Sequence, residues 1–184
     1  MYYVTILTHE RECTLGDIVD GEMRLSEIGK IVQGCWMEIP KHFPNVSLDE
    51  FRVMPNHLHG ILVLNKVSTR HAVPRTKQDQ NEQGKGVLLN APTSIHSNQQ
   101  GKGVLLNALP SISPQPGSLS VIIRTFKAAA AILSHQTGHI HFGWHRNFHD
   151  HIICDTKDLT RIRRYLQENP MNWQHDEENP ENRK

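Results

Sequence analysis

The sequence predicts an α+β domain with a ferredoxin-like (split βαβ) fold, an antiparallel sheet with helices packed mainly on one face. Two observations support this prediction. Short runs rich in β-branched and aromatic residues alternate with segments whose apolar residues recur at helical spacing, in the order β-α-β-β-α-β-α. At 184 residues, of which 37% are hydrophobic, the chain is also long enough to bury one sizeable core.

The N-terminal half contains three of the predicted strands and the first helix. Residues 2–8 are rich in aromatic and β-branched types, and the pair Asp20-Gly21 is typical of a tight hairpin turn. Apolar residues at near-helical spacing predict a helix over residues 26–40, beginning at a serine cap. Residues 46–53 and 57–64 predict two further strands joined by a tight turn.

The C-terminal half supplies the remaining elements. Apolar residues at helical spacing predict a second helix over residues 118–133. The segment 139–153 has alternating or clustered apolar residues and is expected to hold the fourth strand. A last helix begins at a cap formed by Asp155 or Thr156 and ends near Asn169-Pro170, because proline cannot continue a helix.

One stretch between the two halves, residues 66–117, has a different composition. Pro, Gly, Ser, Asn and Gln become frequent, and the phrase QGKGVLLNA at Gln83–Ala91 returns at Gln100–Ala108. A single duplicated phrase is too short for a solenoid, and the composition is typical of a low-complexity, disordered insert. We therefore expect a single domain over residues 1–173, interrupted by this insert and followed by a polar tail over residues 174–184 that is frayed from Asp176.

Charge and cysteine content limit the classes of function. The formal net charge is only +1, so any surface that binds nucleic acid must be local rather than a property of the whole chain. No apolar run is long enough to span a membrane. The three cysteines, Cys13, Cys35 and Cys154, are scattered and have no metal-binding spacing, which favours a reducing, cytoplasmic location.

His57 and His59 form the most informative pair in the sequence. In a strand, residues two apart project from the same face, so both imidazoles would point one way while Leu58 points to the core. Two adjacent imidazoles are half of a binding site for a divalent metal. They could equally be strand histidines that are packed or hydrogen-bonded at a sheet edge, and the pair alone does not decide between the two.

Tyr165 lies beside the apolar stripe of the last predicted helix. Counting by fours, Arg161 precedes it and Asn169 follows it on one face, and Arg164 is its immediate neighbour. A tyrosine with two arginines beside it on the helix can present its hydroxyl to a phosphate group. The alternative is a surface tyrosine whose ring covers the rim of the core.

Three segments carry motifs. They are Met54–Gly60 (MPNHLHG), with a histidine–hydrophobic–histidine motif, Trp144–Ile153 (WHRNFHDHII) and Asp158–Pro170 (DLTRIRRYLQENP). Together with the predicted first strand, these motifs resemble the HUH single-tyrosine transposases, in the group associated with repetitive extragenic palindromes (REP). The resemblance extends over most of residues 1–64 and 118–173 and does not include the insert. It implies a metal-dependent enzyme that nicks DNA and transfers strands through a 5′-phosphotyrosine intermediate.

The resemblance also implies roles for individual residues. Tyr165 would be the nucleophile on a C-terminal catalytic helix, and His57 and His59 would bind Mg²⁺ or Mn²⁺. Asn169, four residues after the tyrosine, stands where related enzymes have a third ligand, and His151 is a rival for that position. The partner would be single-stranded or hairpin DNA, and the protein would be a monomer or homodimer with no membrane partner.

The candidates for contacts with DNA phosphates are basic residues on two predicted helices, namely Arg124, Lys127, Arg161 and Arg164. The chain departs from the pattern of the group at His149, where an aromatic residue is common, and at Cys154, where a basic residue is common. Two other functions are therefore left open. The chain could be a hairpin-DNA-binding protein that has lost catalysis, or a small metal-dependent hydrolase built on its histidines.

Overall fold

A computed structural model describes residues 1–65 and 117–182, with a four-stranded antiparallel sheet at its centre. In chain order the strands are β1 (Tyr2–Leu7), β2 (Gly16–Val19), β3 (Glu22–Leu25), β4 (Val46–Val53), β5 (His57–Leu64) and β6 (His149–Ile152). The central sheet has the order β4-β5-β1-β6, while β2 and β3 form a separate hairpin around the predicted turn at Asp20-Gly21. The duplicated phrase and all of the predicted insert except Gly117 lie outside the described residues.

The helices are α1 (Glu27–Met37), α2 (Ile39–His42), α3 (Leu119–Gln136) and α4 (Thr156–Glu168). Ser26 caps α1, since its hydroxyl accepts a hydrogen bond from the Gly29 N–H at 3.0 Å. The helix predicted over residues 26–40 is in fact two helices, and Pro40 lies in the first turn of α2, where no N–H is needed. No helix in the two described ranges is long and apolar enough to cross a membrane.

The predicted split βαβ arrangement is confirmed, with one strand shorter than expected. Within the segment 139–153, only His149–Ile152 forms a strand against β1. The apolar residues before it pack from a loop instead: Phe142 is 6% exposed, and the Trp144 indole N–H donates to the carbonyl of Lys127 at 3.1 Å. Their clustering in the sequence therefore reflects loop packing against α3 rather than strand alternation.

One face of the central sheet is covered by α1 and α3. Because alternate strand residues project to opposite faces, Leu58 and Leu62 of β5 point to this side and join the main core. Trp36 of α1 lies directly over Gly60, where a Cβ atom would clash with the indole ring. Phe126 of α3 meets the same indole edge-on, with ring centroids 5.2 Å apart. Gly60 thus sets how closely α1 can approach β5.

The opposite face carries α4. This helix begins at Asp155, whose carboxylate accepts a hydrogen bond from the Asp158 N–H at 2.8 Å. Arg163 fastens it to the edge strand β4 through two hydrogen bonds to the Asp49 carboxylate, at 2.8 and 2.5 Å. The apolar side of the helix forms a second, smaller core with the sheet, made by Ile61, Ile153, Leu159, Ile162 and Leu166.

The segment after α4 is folded as far as residue 182, whereas the sequence led us to expect a tail that is frayed from Asp176. Two short 3₁₀ helices, Trp173–His175 and Pro180–Asn182, lie in this segment, and Asp176 and Asn179 are buried, at 8% and 4% exposure. The Asn179 side-chain N–H donates to the carbonyl of Trp173 at 3.0 Å. Asn and Asp side chains bind nearby backbone groups in turns, so a polar segment can be ordered without apolar residues of its own.

The two ends of the segment between residues 65 and 117 lie beside the same residue. The Asn65 N–H donates to the carbonyl of Asn45 at 2.8 Å. Gly117, with a positive φ of 76°, faces the side chain of Asn45, since a Cβ atom built on it would lie 3.4 Å from Asn45 Nδ2. The chain therefore leaves β5 and returns to α3 at one corner of the domain.

Candidate metal centre and its cleft

His57 and His59 lie side by side on the face of β5 that α4 covers. His57 is 0% exposed and His59 is 3% exposed, and their Nε2 atoms are 2.9 Å apart. Burial lowers the pKa of His57 to about 3 and the pKa of His59 well below its usual value, because it removes the water that would stabilise the charged imidazolium. Both side chains are therefore neutral at neutral pH, and each can bind a metal through a ring nitrogen.

Each of the two imidazoles is held through its Nδ1 atom. Nδ1 of His57 lies 2.8 Å from Asn56 Oδ1. Nδ1 of His59 lies 2.8 Å from the Tyr3 hydroxyl and 2.9 Å from the Thr5 hydroxyl, and both residues belong to the neighbouring strand β1. Hydrogen bonds of this kind orient metal-binding histidines, and here they leave the Nε2 atoms facing the site.

Asp176 brings a carboxylate to the two imidazoles from the folded segment after α4. A ring nitrogen of His57, a ring nitrogen of His59 and a carboxylate oxygen of Asp176 all lie within 4.8 Å of one another, and all three residues are buried. Two neutral imidazoles and a carboxylate form a donor set suited to a divalent ion such as Mn²⁺ or Mg²⁺. In residues 1–65 and 117–182, no other three His, Cys, Asp or Glu side chains come together in this way.

The two residues expected to compete for the third ligand position have different surroundings. Asn169 lies on the wall of the same cleft and is 2% exposed, and its side-chain oxygen and nitrogen make no hydrogen bond of ordinary geometry with the described residues. A buried amide with poorly formed hydrogen bonds is destabilising, so a ligand that reached it would stabilise the site. His151 is outside the group of three, since its Nε2 lies 2.7 Å from a carboxylate oxygen of Asp158 at the surface.

Tyr165 of α4 lines a solvent-accessible cleft of about 570 Å³, together with His59 and Asp176 of this group. Its hydroxyl lies 3.5 Å from His59 Nε2, and its ring meets the His59 imidazole edge-on with centroids 5.5 Å apart. Burial of part of the side chain, followed by the charge of Asp176, raises the pKa of Tyr165 to about 12, so the hydroxyl is protonated at neutral pH. His149 also lines the cleft, next to Thr5 in the strand register.

Comparison with known proteins places the chain in a family. No protein-family model matches it. An uncharacterized protein of Haemophilus influenzae is 34% identical to the chain over 179 residues, which are 96% of this chain and 83% of that protein. The chain belongs to the same family as this protein.

A solved structure identifies the fold. The structure of the REP-associated tyrosine transposase bound to a REP hairpin is similar to that of this protein, with a TM-score of 0.50 and 16% sequence identity. The match covers 94% of this chain and 67% of that one. The protein therefore has a REP-associated tyrosine transposase-like fold. At this level of identity the similarity concerns the fold and not the activity.

Two of the four basic residues predicted to contact DNA lie on α4 of this transposase-like fold. Arg161 and Arg164 border one shallow surface cleft together with Lys157. Arg161 also pairs with Asp158 across one helical turn, at 2.6 Å. Because this pair is exposed, it contributes little to stability, and the guanidinium can exchange its partner for another anion.

The other two basic residues lie apart from these, on α3 of the transposase-like fold. Arg124 and Lys127 border a second cleft together with Arg146. The Lys127 ammonium donates to the carbonyls of His145 and Asn147, at 2.9 and 2.8 Å, and burial lowers the pKa of Lys127 to about 8. Lys127 thus holds the loop before β6, which leaves one of its three N–H groups for a phosphate.

Asp176 is the member of the group that the sequence did not reveal. It lies outside the three motif segments, and its local signal is an acidic run over residues 176–178 in a polar tail. Which of these carboxylates meets the histidines depends on how the tail folds back over α4. That is a tertiary property, which no local pattern encodes.

Proposed function

We propose that the protein nicks and rejoins single-stranded or hairpin DNA through Tyr165, with Mg²⁺ or Mn²⁺ held by His57, His59 and Asp176. One observation carries the proposal: the Tyr165 hydroxyl lies 3.5 Å from the His59 nitrogen that is itself 2.9 Å from the His57 nitrogen. A tyrosine nucleophile is thus adjacent to a group of metal ligands in an open cleft. The similar solved structure, which is of a tyrosine transposase bound to a REP hairpin, supports DNA as the substrate.

In this reaction Tyr165 attacks a DNA phosphate and remains bound to it. A bond forms between the tyrosine oxygen and phosphorus, while the bond from phosphorus to the 3′ oxygen of the preceding nucleotide breaks. The tyrosine loses its proton and the 3′ oxygen gains one, so the products are a 5′-phosphotyrosine and a free 3′-hydroxyl. The number of phosphoester bonds is unchanged, and rejoining therefore needs no ATP.

The surroundings of Tyr165 explain why this chemistry would need a metal ion. A hydroxyl whose pKa is raised to about 12 is a weak nucleophile at neutral pH. A divalent ion held at this site would supply positive charge against the negative charge that develops on the phosphate. Burial keeps His57 and His59 neutral and able to bind such an ion. Asn169 is a candidate for a further ligand, because its buried amide makes no hydrogen bond of ordinary geometry with the described residues.

Arg161 and Arg164 are the basic residues best placed to hold the DNA strand that Tyr165 attacks. They lie one helical turn and one residue before the tyrosine on α4, and they border a common surface cleft. Arg124 and Arg146 would contact a second part of the DNA, because they border a different cleft. Phosphate contacts of this kind position DNA without reading its sequence.

The experiment that tests this function looks for a covalent protein–DNA adduct. Purified full-length protein is incubated with Mn²⁺ and labelled single-stranded DNA that contains a hairpin, and the products are separated under denaturing conditions. We expect an adduct with the wild type, which disappears with a chelator or with Tyr165→Phe, while Tyr165→Phe still binds the hairpin. Tyr2→Phe is the matched control, because Tyr2 packs against the core on the other face of the sheet and should leave the adduct unchanged.

Three other results would change the assignment. An adduct that persists in Tyr165→Phe would show that another residue is the nucleophile. Hairpin binding that ignores the chelator and never yields an adduct would identify a DNA-binding protein without catalysis. Cleavage of a phosphoester without a covalent intermediate would identify a metal-dependent hydrolase.

A further inference from the structure

We infer that Asn56 couples the two halves of the metal site. It fixes His57 in the tautomer that presents Nε2 to the site, and it anchors the segment 173–182, which carries Asp176. Asn56 is 0% exposed and lies in the turn between β4 and β5, immediately before His57. The inference rests on the metal site proposed above and does not depend on the reaction with DNA.

The orientation of the Asn56 amide follows from its neighbours. Its Nδ2 lies 3.1 Å from the carbonyl oxygen of Arg11 and 2.8 Å from the carbonyl oxygen of Glu178. Carbonyl oxygens only accept hydrogen bonds, so the atom that faces both of them must be the NH₂ group. The amide oxygen is thereby turned toward Nδ1 of His57, which lies 2.8 Å away.

This orientation determines the tautomer of His57. An amide oxygen can only accept, so Nδ1 of His57 must carry the hydrogen and donate it. A neutral imidazole carries one N–H hydrogen, and Nε2 is therefore left with its lone pair. That lone pair is on the side of the ring that faces His59 Nε2, 2.9 Å away. Asn56 thus leaves Nε2 of His57 able to bind a metal, although Asn56 itself is not a ligand.

The same amide holds the segment that supplies the third ligand. Asn56 donates to the backbone carbonyl of Glu178, and the N–H of Glu178 donates to a carboxylate oxygen of Asp176 at 2.7 Å. The side chains of Arg11 and Glu178 form an ion pair beside this contact. Hydrogen bonds on either side of the Glu178 backbone therefore link the imidazole of His57, through Asn56, to the carboxylate of Asp176.

The backbone on the other side of Asn56 supports this arrangement. Glu10 and Arg11 both have left-handed conformations, with φ of 50° and 58°, which non-glycine residues adopt at a cost. The Arg11 carbonyl in this turn receives the second N–H of Asn56. The buried amide of Asn56 thus makes three hydrogen bonds. Its oxygen accepts one from His57, and its NH₂ group donates two to main-chain carbonyls.

Replacing Asn56 by Asp separates the two roles. A carboxylate can still accept from His57 Nδ1, but it has no NH₂ group to donate to the Arg11 and Glu178 carbonyls. Three measurements on the full-length protein test the coupling: the His57 tautomer by ¹⁵N NMR, hydrogen exchange of residues 173–182 in the metal-free protein, and Mn²⁺ affinity by titration calorimetry. Asp176→Asn and Asn147→Asp are the comparison variants, the second being the same substitution as Asn56→Asp at an exposed position.

We expect the wild type to show the Nδ1–H tautomer of His57. Asn56→Asp should keep this tautomer, speed exchange in 173–182 and weaken Mn²⁺ binding about 10- to 100-fold, as loss of an outer-shell partner of a metal site does. Asp176→Asn should weaken Mn²⁺ binding without faster exchange, because the asparagine oxygen can still accept from the Glu178 N–H. Asn147→Asp should change none of the three.

Two results would overturn the coupling. An Nε2–H tautomer of His57 in the metal-free wild type would do so without any variant, even if Asn56→Asp fails to fold. Unchanged exchange and unchanged Mn²⁺ affinity in a folded Asn56→Asp protein would do so as well. Absence of Mn²⁺ binding by the wild type would contradict the proposed function instead, and the tautomer and exchange measurements would still decide the role of Asn56.

Discussion

At the scale of single residues, burial of the imidazoles has an effect that can be measured without DNA. His57 stays neutral in the folded chain because its surroundings exclude water, and its pKa falls to about 3. In the unfolded chain the same side chain titrates near its usual pKa of about 6.5. Between these two values the unfolded chain binds a proton that the folded chain does not, so acid favours unfolding.

We therefore predict that the free energy of unfolding of the metal-free protein falls as pH drops below about 6.5. His57 alone should contribute about 1.4 kcal/mol per pH unit in this range. Urea unfolding in the presence of a chelator, at neutral pH and near pH 5, measures the loss. His42→Gln, at an exposed position on α2, should leave the pH dependence unchanged. Equal stability of the wild type at both pH values would contradict the prediction.

The role of Asp176 can be tested at the same scale. Asp176→Asn removes the charge and keeps one side-chain oxygen, and we expect the affinity for Mn²⁺ to fall at least about 10-fold. The neighbouring Glu177→Gln is the matched control, which removes an acidic charge outside the group of three and should have a much smaller effect. Asn169→Ala shows whether the amide is a further ligand. Titration calorimetry measures all three, and an unchanged affinity in Asp176→Asn would exclude its carboxylate as a ligand.

At the scale of secondary structure elements, the contact between α1 and β5 depends on one glycine. We expect Gly60→Ala to destabilise the protein by about 1–3 kcal/mol, because the new methyl group would clash with the Trp36 indole in a packed core. Gly34→Ala is the matched control. Nothing lies within 4 Å of a Cβ atom at this exposed position in α1, so the substitution should stabilise by about 0.5–1 kcal/mol. Equal stabilities of the two variants in urea unfolding would refute this packing.

The elements that the sequence predicts well are those with a strong local pattern. The β5 alternation places His57 and His59 on one face and Leu58 on the other, as the strand period requires. The caps at Ser26 and Asp155 are equally local, and both are present. Elements whose residues pack across the chain are predicted less well, such as the loop before β6, where apolar residues cluster without forming a strand.

Only the part of the candidate site that has a local sequence pattern could be predicted. Tyr165 and the two histidines belong to motifs that are readable within single elements, and the structure brings all three together. Asp176 reaches the site from the tail, and Asn56, although it lies within the first motif, is oriented by main-chain carbonyls at residues 11 and 178. Such contacts arise only once the chain has folded, so no spacing rule in the sequence could supply them.

At the scale of the whole molecule, the net charge of only +1 means that the proposed DNA binding would depend on a few arginines. We predict that hairpin binding weakens with salt, and that Arg161→Gln and Arg164→Gln each lower the slope of log affinity against log salt concentration by about 1. Lys30→Gln should leave this slope unchanged, because Lys30 borders neither of the two clefts that the basic residues line. Fluorescence anisotropy over a range of salt concentrations measures it, and an affinity independent of salt would exclude phosphate contacts at these residues.

The corner at Asn45 has a consequence for how such a chain can be altered. Because the folded domain holds Asn65 and Gly117 beside one residue, the points where the chain leaves and re-enters the domain are fixed by contacts of the domain itself. In general, doubling the length of a flexible connection with fixed ends costs only about 0.6 kcal/mol of closure entropy. Segments of different length and sequence can therefore be exchanged at this corner, in evolution or by engineering, as a cassette that leaves the sheet and its site in place.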